Sequence, residues 1–385
     1  MLKQVQHDKT RKSKNKMKLL KVILSGGGTG GHIFPAVAIA NEIKKLVPHA
    51  EILFVGALGK MEMEKVPAAG FKIIGVPIAG LQRKFTLSNL KLPFLIIQSL
   101  LKTRKIVNEF KPDVVVGTGG YASGPLLKAA TAKGIPALLQ EQNSYAGITN
   151  KILSKKASKI CVAYEGMEAF FPKEKIILTG NPVRQDLKNV KQYREEALSF
   201  FKLNPNKKVI LVIGGSLGAR TINETMGAGL QKLVDNNIQL IWQTGKTYYS
   251  SAIQQVEKFP NDHIYAFEFI SRMDLAYAAA DIVISRAGAS SVSELCNIGM
   301  PSILVPSPNV AEDHQTKNAM ALVNKNAALL IKDNDAKGTL VQTAVSLISN
   351  TAQQVTLTNN ISQMAFQNSA NVIALEVLKL ANYTL

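Results

Sequence analysis

The sequence predicts an α/β protein of two domains, each a parallel sheet covered by helices, the two facing one another across a cleft. Three observations carry that prediction. Apolar runs of strand length alternate with helix-length stretches. The alternation restarts near residue 208. Each half also opens on the same device, a buried-strand run followed by a glycine-rich turn that starts a helix. The first device runs from Lys18 to Ser25 and into Gly26-Gly-Gly-Thr-Gly-Gly-His32; the second runs from Lys208 to Ile213 and into Gly214-Gly-Ser-Leu-Gly-Ala219. At 385 residues with 46% hydrophobic content, the chain exceeds one ordinary core and fits two.

After the first turn, strands are expected at Ile52 to Val55, Ile73 to Val76, Val114 to Val116, Ala137 to Leu139, Ile160 to Ala163 and Ile176 to Leu178. In the second half they are expected at Val209 to Ile213, Gln239 to Gln243, Ile264 to Phe267, Ile282 to Ser285, Ile303 to Pro306 and Ala328 to Ile331. The boundary falls near Gly180 to Arg184, giving a basic extension over 1–16, one domain over 17–183 and a second over 184–385. The last helix is a candidate to pack back on the first domain. In open parallel sheets ligands sit beyond the strand C-termini, where glycine turns let the backbone approach an anion and helix N-termini supply positive potential.

Gly26, Gly28 and Gly31 satisfy G-x-G-x-x-G, so a dinucleotide-binding dehydrogenase is one alternative. A ribose-binding acid should then end the second strand. Glu51-Ile-Leu-Phe-Val-Gly56 has its acid at the front, which removes most of the support for NAD.

Charge is unevenly distributed. Residues 1–183 hold 28 Lys+Arg against 11 Asp+Glu, and residues 184–385 hold 18 against 16, so the halves carry +17 and +2 of the +19. Without the first 18 residues the first half still carries +11, and an anionic partner is expected there. Aromatic content of 6% without aromatic-basic alternation argues against nucleic acid. Cys161 and Cys296 offer neither a disulfide framework nor a zinc set and are expected to be buried thiols. The polar, basic N-terminus lacks a secretory signal's apolar core, and a cytoplasmic location is expected. No metal-ligand cluster is evident: the acids nearest the expected second ligand site, Asp281, Glu294 and Asp313, lack D-x-D spacing.

Six segments occur in an order that resembles the MurG family of GT-B glycosyltransferases. They are Gly26 to Pro35, Gly117-Thr-Gly-Gly-Tyr-Ala-Ser-Gly-Pro125, Glu141-Gln-Asn143, Thr179-Gly-Asn-Pro-Val-Arg184, Gly214 to Ala219 and Asp313-His-Gln-Thr-Lys-Asn-Ala319. The resemblance runs from about Met17 to the C-terminus; Gln140 departs from it, standing where that family often has His. It implies an inverting transfer of GlcNAc from UDP-GlcNAc to the MurNAc 4-hydroxyl of undecaprenyl-pyrophosphoryl-MurNAc-pentapeptide, lipid I, with no bound cofactor. A GT-B enzyme acting on another lipid acceptor is the runner-up. His32 would activate or position the acceptor, its imidazole being suited to proton transfer near neutrality. Thr29, Gly30, Gly31, Asn143, Arg184, Ser216, Ile270, Ala289, Ser290, Ser291, Val292, Ser293, Glu294 and Gln315 would hold the donor, with Glu294 on the ribose and the Ile270 backbone on uracil. Gly28, Thr118, Gly119, Gly120 and Tyr121 would face the acceptor diphosphate.

A polyprenyl acceptor implies a membrane surface. In the segment Arg83 to Lys105, Phe94, Ile97, Leu100 and Leu101 fall on one helical face, flanked by Arg83, Lys84, Lys91, Lys102, Arg104 and Lys105. The uncharged stretch from Leu92 to Leu101 is too short to span a bilayer but fits an interfacial helix on anionic phospholipid. The resemblance therefore places the protein at the cytoplasmic face of the plasma membrane, with other cell-wall synthesis proteins as candidate partners.

Overall fold

The computed structural model describes residues 19–78, 92–183, 187, 189–215 and 218–385. In the first half, β1 (Lys21–Ser25), β2 (Glu51–Ala57), β3 (Lys72–Val76), β4 (Val114–Gly117), β5 (Ala137–Glu141), β6 (Lys159–Val162) and β7 (Ile176–Leu178) form a sheet in the order β3-β2-β1-β4-β5-β6-β7. In the second half, β8 (Lys208–Ile213), β9 (Ile238–Gln243), β10 (Ile264–Phe267), β11 (Ile282–Ser285), β12 (Ser302–Leu304) and β13 (Leu329–Leu330) form a sheet in the order β10-β9-β8-β11-β12-β13. All pairings are parallel. The fold class is as the sequence predicts, and every strand it marks is present with small shifts of boundary. The strand expected to reach Pro306 ends at Leu304, although the Val305 amide still donates to Ser285 O at 2.9 Å. Pro306 has no N–H with which to continue the ladder.

The first half carries α1 (Gly30–Leu46), α2 (Glu62–Ala68), α3 (Leu92–Phe110), α4 (Ser123–Thr131) and α5 (Ile148–Ser154). The second carries α6 (Arg194–Phe200), α7 (Arg220–Ala228), α8 (Leu230–Asp235), α9 (Tyr249–Val256), α10 (Met273–Ala279), α11 (Ala289–Ile298), α12 (His314–Val323), α13 (Ala336–Ser349) and α14 (Thr351–Ser362), before α15 (Ser369–Leu380). Because side chains alternate along a strand, each central strand serves two cores. Val22 and Leu24 of β1 pack with Ile33, Ile39 and Ile43 of α1, whereas Ile23 packs with Leu126 and Leu127 of α4 and with Ile106 and Val107 of α3. In β8, Ile210 and Val212 meet Ile222 and Met226 of α7, and Val209 and Leu211 meet Leu275 of α10 and Leu295 of α11. Each such buried side chain contributes about 1.5–3 kcal/mol against exposure.

Helix α15 leaves the second half and joins the core of the first. Ile373, Ala374, Val377 and Leu378 share the cluster of α1, and Asn371 Nδ2 donates to Glu42 Oε1 at 2.9 Å. In both sheets the strand order reverses beside the strand that opens the half, between β1 and β4 and between β8 and β11. Helices diverge at such a point and leave a crevice beyond the strand ends. The two glycine turns, the Gly117 loop and the Ser285 to Gly288 turn all follow those four strands.

Candidate active site at the interdomain cleft

On the first half's side, the turn after β1 and the loop after β4 are laced together. Gly27 N reaches Gly119 O at 3.4 Å, and Thr118 Oγ1 donates to His32 O at 2.7 Å. Gly119 and Gly120 have φ of +102° and +85°; a Cβ on Gly119 would lie 2.8 Å from the His32 ring, so glycine is required there for both reasons. Helix α1 starts at Gly30 behind an exposed Thr29 whose side chain makes no cap bond. His32, in its first turn, places Nδ1 2.8 Å from Gln142 Oε1. The first N–H groups of a helix have no partner within it, so this end of α1 offers amides to a ligand.

Two of the expected diphosphate contacts are otherwise engaged. Thr118 is fully buried with its hydroxyl on His32 O, so it buttresses the turn and presents no surface. The Gly28 amide donates to Glu62 Oε2 at 3.0 Å. Glu62, also buried, accepts from Ala57 N at 2.9 Å through its other oxygen, so a carboxylate lies under the first turn. Gly120 is partly exposed and Tyr121 half-exposed, just before α4.

On the second half's side, α11 begins at Ala289 behind Gly288, which offers no side chain to cap it. Ala289 and Val292 are buried, so only their backbones can meet a ligand, whereas Ser290, Ser291, Ser293 and Glu294 are partly exposed. The buried Tyr277 of α10 donates its hydroxyl to Glu294 Oε2 at 3.0 Å, which fixes the carboxylate's direction. The Ile270 amide donates to Gln243 Oε1 at 3.0 Å. Gln315 accepts from Ser307 N at 2.9 Å, tying α12 to the loop after β12. Asp313 precedes α12 in a left-handed conformation, φ +52°, makes no side-chain bond to the helix amides, and accepts from Thr316 Oγ1 at 2.6 Å.

Asp281 belongs elsewhere. It precedes β11 and accepts from Val209 N at 2.8 Å while pairing with Arg194 and Lys208, each at 3.3 Å. That is the N-terminal end of a strand whose other end faces the cleft, about 13 Å away at 3.3 Å per residue. Its proximity in sequence to Ser285 placed it near the donor; the strand between them carries it to the opposite edge. Arg184 and Ser216, like Arg83, Lys84 and Lys91, lie outside the described residues.

The halves meet through amide side chains. The buried Asn318 of α12 accepts from Ser144 N and Oγ at 2.9 and 3.1 Å, and donates to Asn143 Oδ1 at 3.1 Å and Ala287 O at 3.3 Å. It therefore ties the Asn143 loop to the turn before α11. Asn181 Nδ2 donates to Ser293 Oγ at 3.0 Å, and Lys317 Nζ sits 3.1 Å over the Tyr145 ring. A cavity of about 310 Å³ between the halves is lined by Ser144, Tyr164, Asn181, Ser293 and Asn297 among others. Sequence reasoning quoted the motifs that hold Gln142, Asn181 and Asn318 but passed over these side chains, because their partners are remote in sequence. Glu62 carried no signal at all.

On the outer side of the first half, α3 buries Ser99, Thr103, Ile106 and Val107 and exposes 69% of Phe94, 58% of Ile97 and 61% of Leu101. Leu100 is half-buried rather than exposed, and Ile96 takes its place on the outward face. Lys102, Arg104 and Lys105 are exposed beside it. Helix α5 adds exposed Ile148 and Ile152, with α4 between the two. No helix among the described residues is long and apolar enough to cross a membrane. Nor do the described residues group His, Cys, Asp and Glu as a metal centre would.

Paired doubly wound domains with glycine turns and a helix N-terminus at the cleft define a two-domain α/β architecture whose cleft suits a phosphate-bearing ligand. The chain belongs to glycosyltransferase family 28: its N-terminal domain matches residues 22–162 and its C-terminal domain residues 209–374. It is 57% identical over 364 residues to the UDP-N-acetylglucosamine--N-acetylmuramyl-(pentapeptide) pyrophosphoryl-undecaprenol N-acetylglucosamine transferase of Parabacteroides distasonis, covering 94% of this chain and 99% of the relative. With the protein of the same name from Phocaeicola vulgatus it shares 60% over 366 residues, 94% and 97% of the two chains. The crystal structure of Acinetobacter baumannii MurG superposes with a TM-score of 0.77 at 28% identity, covering 94% and 99%.

Proposed function

We propose that this chain is an inverting glycosyltransferase that moves GlcNAc from UDP-GlcNAc to the MurNAc 4-hydroxyl of undecaprenyl-pyrophosphoryl-MurNAc-pentapeptide, making the β(1,4) linkage of lipid II. The observation that carries the reading is 57–60% identity, over 94% of the chain, to relatives bearing that name. The cleft supports it. His32 heads α1 on one side, α11 opens on the other, and Asn181 spans from the first half to Ser293.

In this reading α11 holds the donor. Its free first amides, at Ala289, Ser290 and Ser291, meet the diphosphate with the Ser293 hydroxyl beside them, Val292 closes the first helical turn through its bond to Gly288 O, and Glu294 takes the ribose hydroxyls in the direction Tyr277 sets. The Ile270 backbone faces uracil, Gln315 and Asn143 face the sugar, and Arg184 and Ser216 add diphosphate contacts. The helix N-terminus also stabilises the charge that develops on departing UDP. His32 Nε2 takes the proton of the acceptor hydroxyl as it attacks the anomeric carbon from the face opposite UDP. Thr29, Gly30 and Gly31 meet the donor from across the cleft, Gly119, Gly120 and Tyr121 cradle the acceptor diphosphate, and Thr118 and the Gly28 amide hold the turn in shape.

The acceptor's lipid stays in the membrane, so the enzyme works as a peripheral protein on its cytoplasmic face. Helix α3 docks with Phe94, Ile96, Ile97 and Leu101 in the interface and Lys102, Arg104 and Lys105 on anionic headgroups. The test is incubation of the full chain with labelled UDP-GlcNAc and a short-chain lipid I analogue. The expected outcome is one β(1,4)-linked disaccharide product per UDP released. UDP release without acceptor product, or transfer to an unrelated lipid acceptor in preference to lipid I, overturns the assignment.

A further inference from the structure

Between His32 and helix α11 runs an unbroken chain of side-chain amides. His32 Nδ1 lies 2.8 Å from Gln142 Oε1. Gln142 Nε2 donates to Thr118 O at 2.7 Å, to Gln140 O at 3.0 Å and to Gln140 Oε1. Gln140 Nε2 donates to Asn181 Oδ1 at 2.9 Å; Asn181 Nδ2 donates to Gln142 O at 2.9 Å and to Ser293 Oγ at 3.0 Å. Gln140, Gln142 and Asn181 are all buried.

The partners decide which way each amide points. Two backbone carbonyls and the Gln140 oxygen surround one end of Gln142, and carbonyl oxygens accept but never donate, so that end is the NH2 group. The other end, facing His32, is then an oxygen and needs a donor. A neutral imidazole has one N–H and one lone pair, so the proton belongs on Nδ1 and the lone pair on Nε2. Every bond in the chain is directed the same way, from His32 towards Ser293, and neighbouring bonds in a low-dielectric interior strengthen one another.

We infer that Gln142 is a positioning residue that locks His32 in the Nδ1–H tautomer, with Nε2 free to take the acceptor proton. Gln140 and Asn181 tie that setting to the helix assigned to the donor diphosphate. The inference rests on the base role given to His32 above, but its first test needs no turnover and so fails separately from that reading. In 15N NMR of the full chain labelled at histidine, with His32 assigned by its loss in His32→Gln, the neutral ring should show a protonated Nδ1 and an unprotonated Nε2. A dominant Nε2–H form overturns the proposal. In the lipid I assay, Gln142→Leu should lower kcat about 100-fold, the scale of a general-base contribution, while UDP affinity by calorimetry stays within about two-fold. A kcat within about three-fold of wild type overturns it as well. Gln140→His keeps one ring donor and one acceptor and should recover about ten-fold of the activity that Gln140→Leu loses; equal loss in both variants counts against the chain. Should Gln142→Leu fail to fold, the wild-type tautomer decides.

Discussion

The turn after β1 and the turn after β8 occupy the same place in two sheets that share one order over six strands, the first sheet adding β7 at its edge, yet their surroundings differ. The first is closed from below. Cβ atoms on Gly26 and Gly27 would collide with Thr118 and Glu62, the Gly28 amide is on a carboxylate, and an imidazole stands at the helix start. The second is closed by backbone: a Cβ on Gly214 would lie 3.0 Å from Ala219 N and Gln243 O and one on Gly218 would collide with Thr244 O, while Gly215, like Gly28 in the first turn, has a positive φ and open space where a Cβ would stand. Gly214 N donates to Gln243 O at 3.0 Å and Gly218 N to Gly215 O at 3.1 Å. One backbone design has been used twice, and the polar groups around it differ. In the function proposed above, the first half carries proton transfer and the acceptor, and the second carries the nucleotide.

The sharpest way to break this comparison is at His32. His32→Ala should lower turnover by about 10²- to 10⁴-fold and leave UDP affinity unchanged. A folded variant that turns over at the wild-type rate removes proton transfer from the first half. Next in size is the membrane face. Replacing Lys102, Arg104 and Lys105 together by Glu should weaken sedimentation with anionic liposomes at low salt, at about 1 kcal/mol for each base lost near the surface. Both proteins should lack residues 1–16, so that the basic extension does not mask the result; equal binding of the two excludes α3 as the docking surface.

The donor side is tested by Glu294→Ala, whose UDP binding by calorimetry should fall by about 1.5–3 kcal/mol while acceptor affinity holds. Unchanged UDP binding means that the ribose is held elsewhere. Glu62→Leu probes the first turn. It strands the Ala57 and Gly28 amides, of which the Ala57 bond is buried, and should cost about 1–3 kcal/mol in denaturant unfolding. An unaltered midpoint would show that water or a neighbour replaces the carboxylate and that the two turns are alike in their support. The smallest effect concerns the thiols. Burial pushes Cys161 and Cys296 up to about 12, so almost no thiolate exists near neutrality, and native protein should resist thiol reagents until it unfolds. Rapid labelling of either one in the folded state contradicts the burial of Cys161 in β6 or of Cys296 in α11.

How much of this was legible beforehand follows from the range of each interaction. Strands such as Val209 to Ile213 and Ile264 to Phe267 declare themselves because a strand buried on both faces must be a short apolar run, a local property of the chain. The glycine turns are equally local, since a left-handed φ or a close backbone approach selects glycine in place. His32 at the start of α1 and Glu294 within α11 follow from the same local reading. Asp281 does not: four strand residues reverse which edge of the sheet it faces, and Arg194 and Lys208 hold it there. Nor does Leu100, which the rotation of α3 on its neighbours turns half inward while Ile96 turns out.

The sequence alone therefore determined the class of fold, its duplication, the charged half and the motifs that line the cleft, because period, glycine and charge act over a few residues. The tertiary structure decided which polar group meets which. Glu62 lies under the turn at Gly28, Asn318 joins Asn143 to Ala287, and Gln142 faces His32 across 110 positions of chain. A buried amide or carboxylate must find a partner wherever the packed backbone supplies one, and that place is set by how the sheets and helices stack rather than by the residues beside it in sequence.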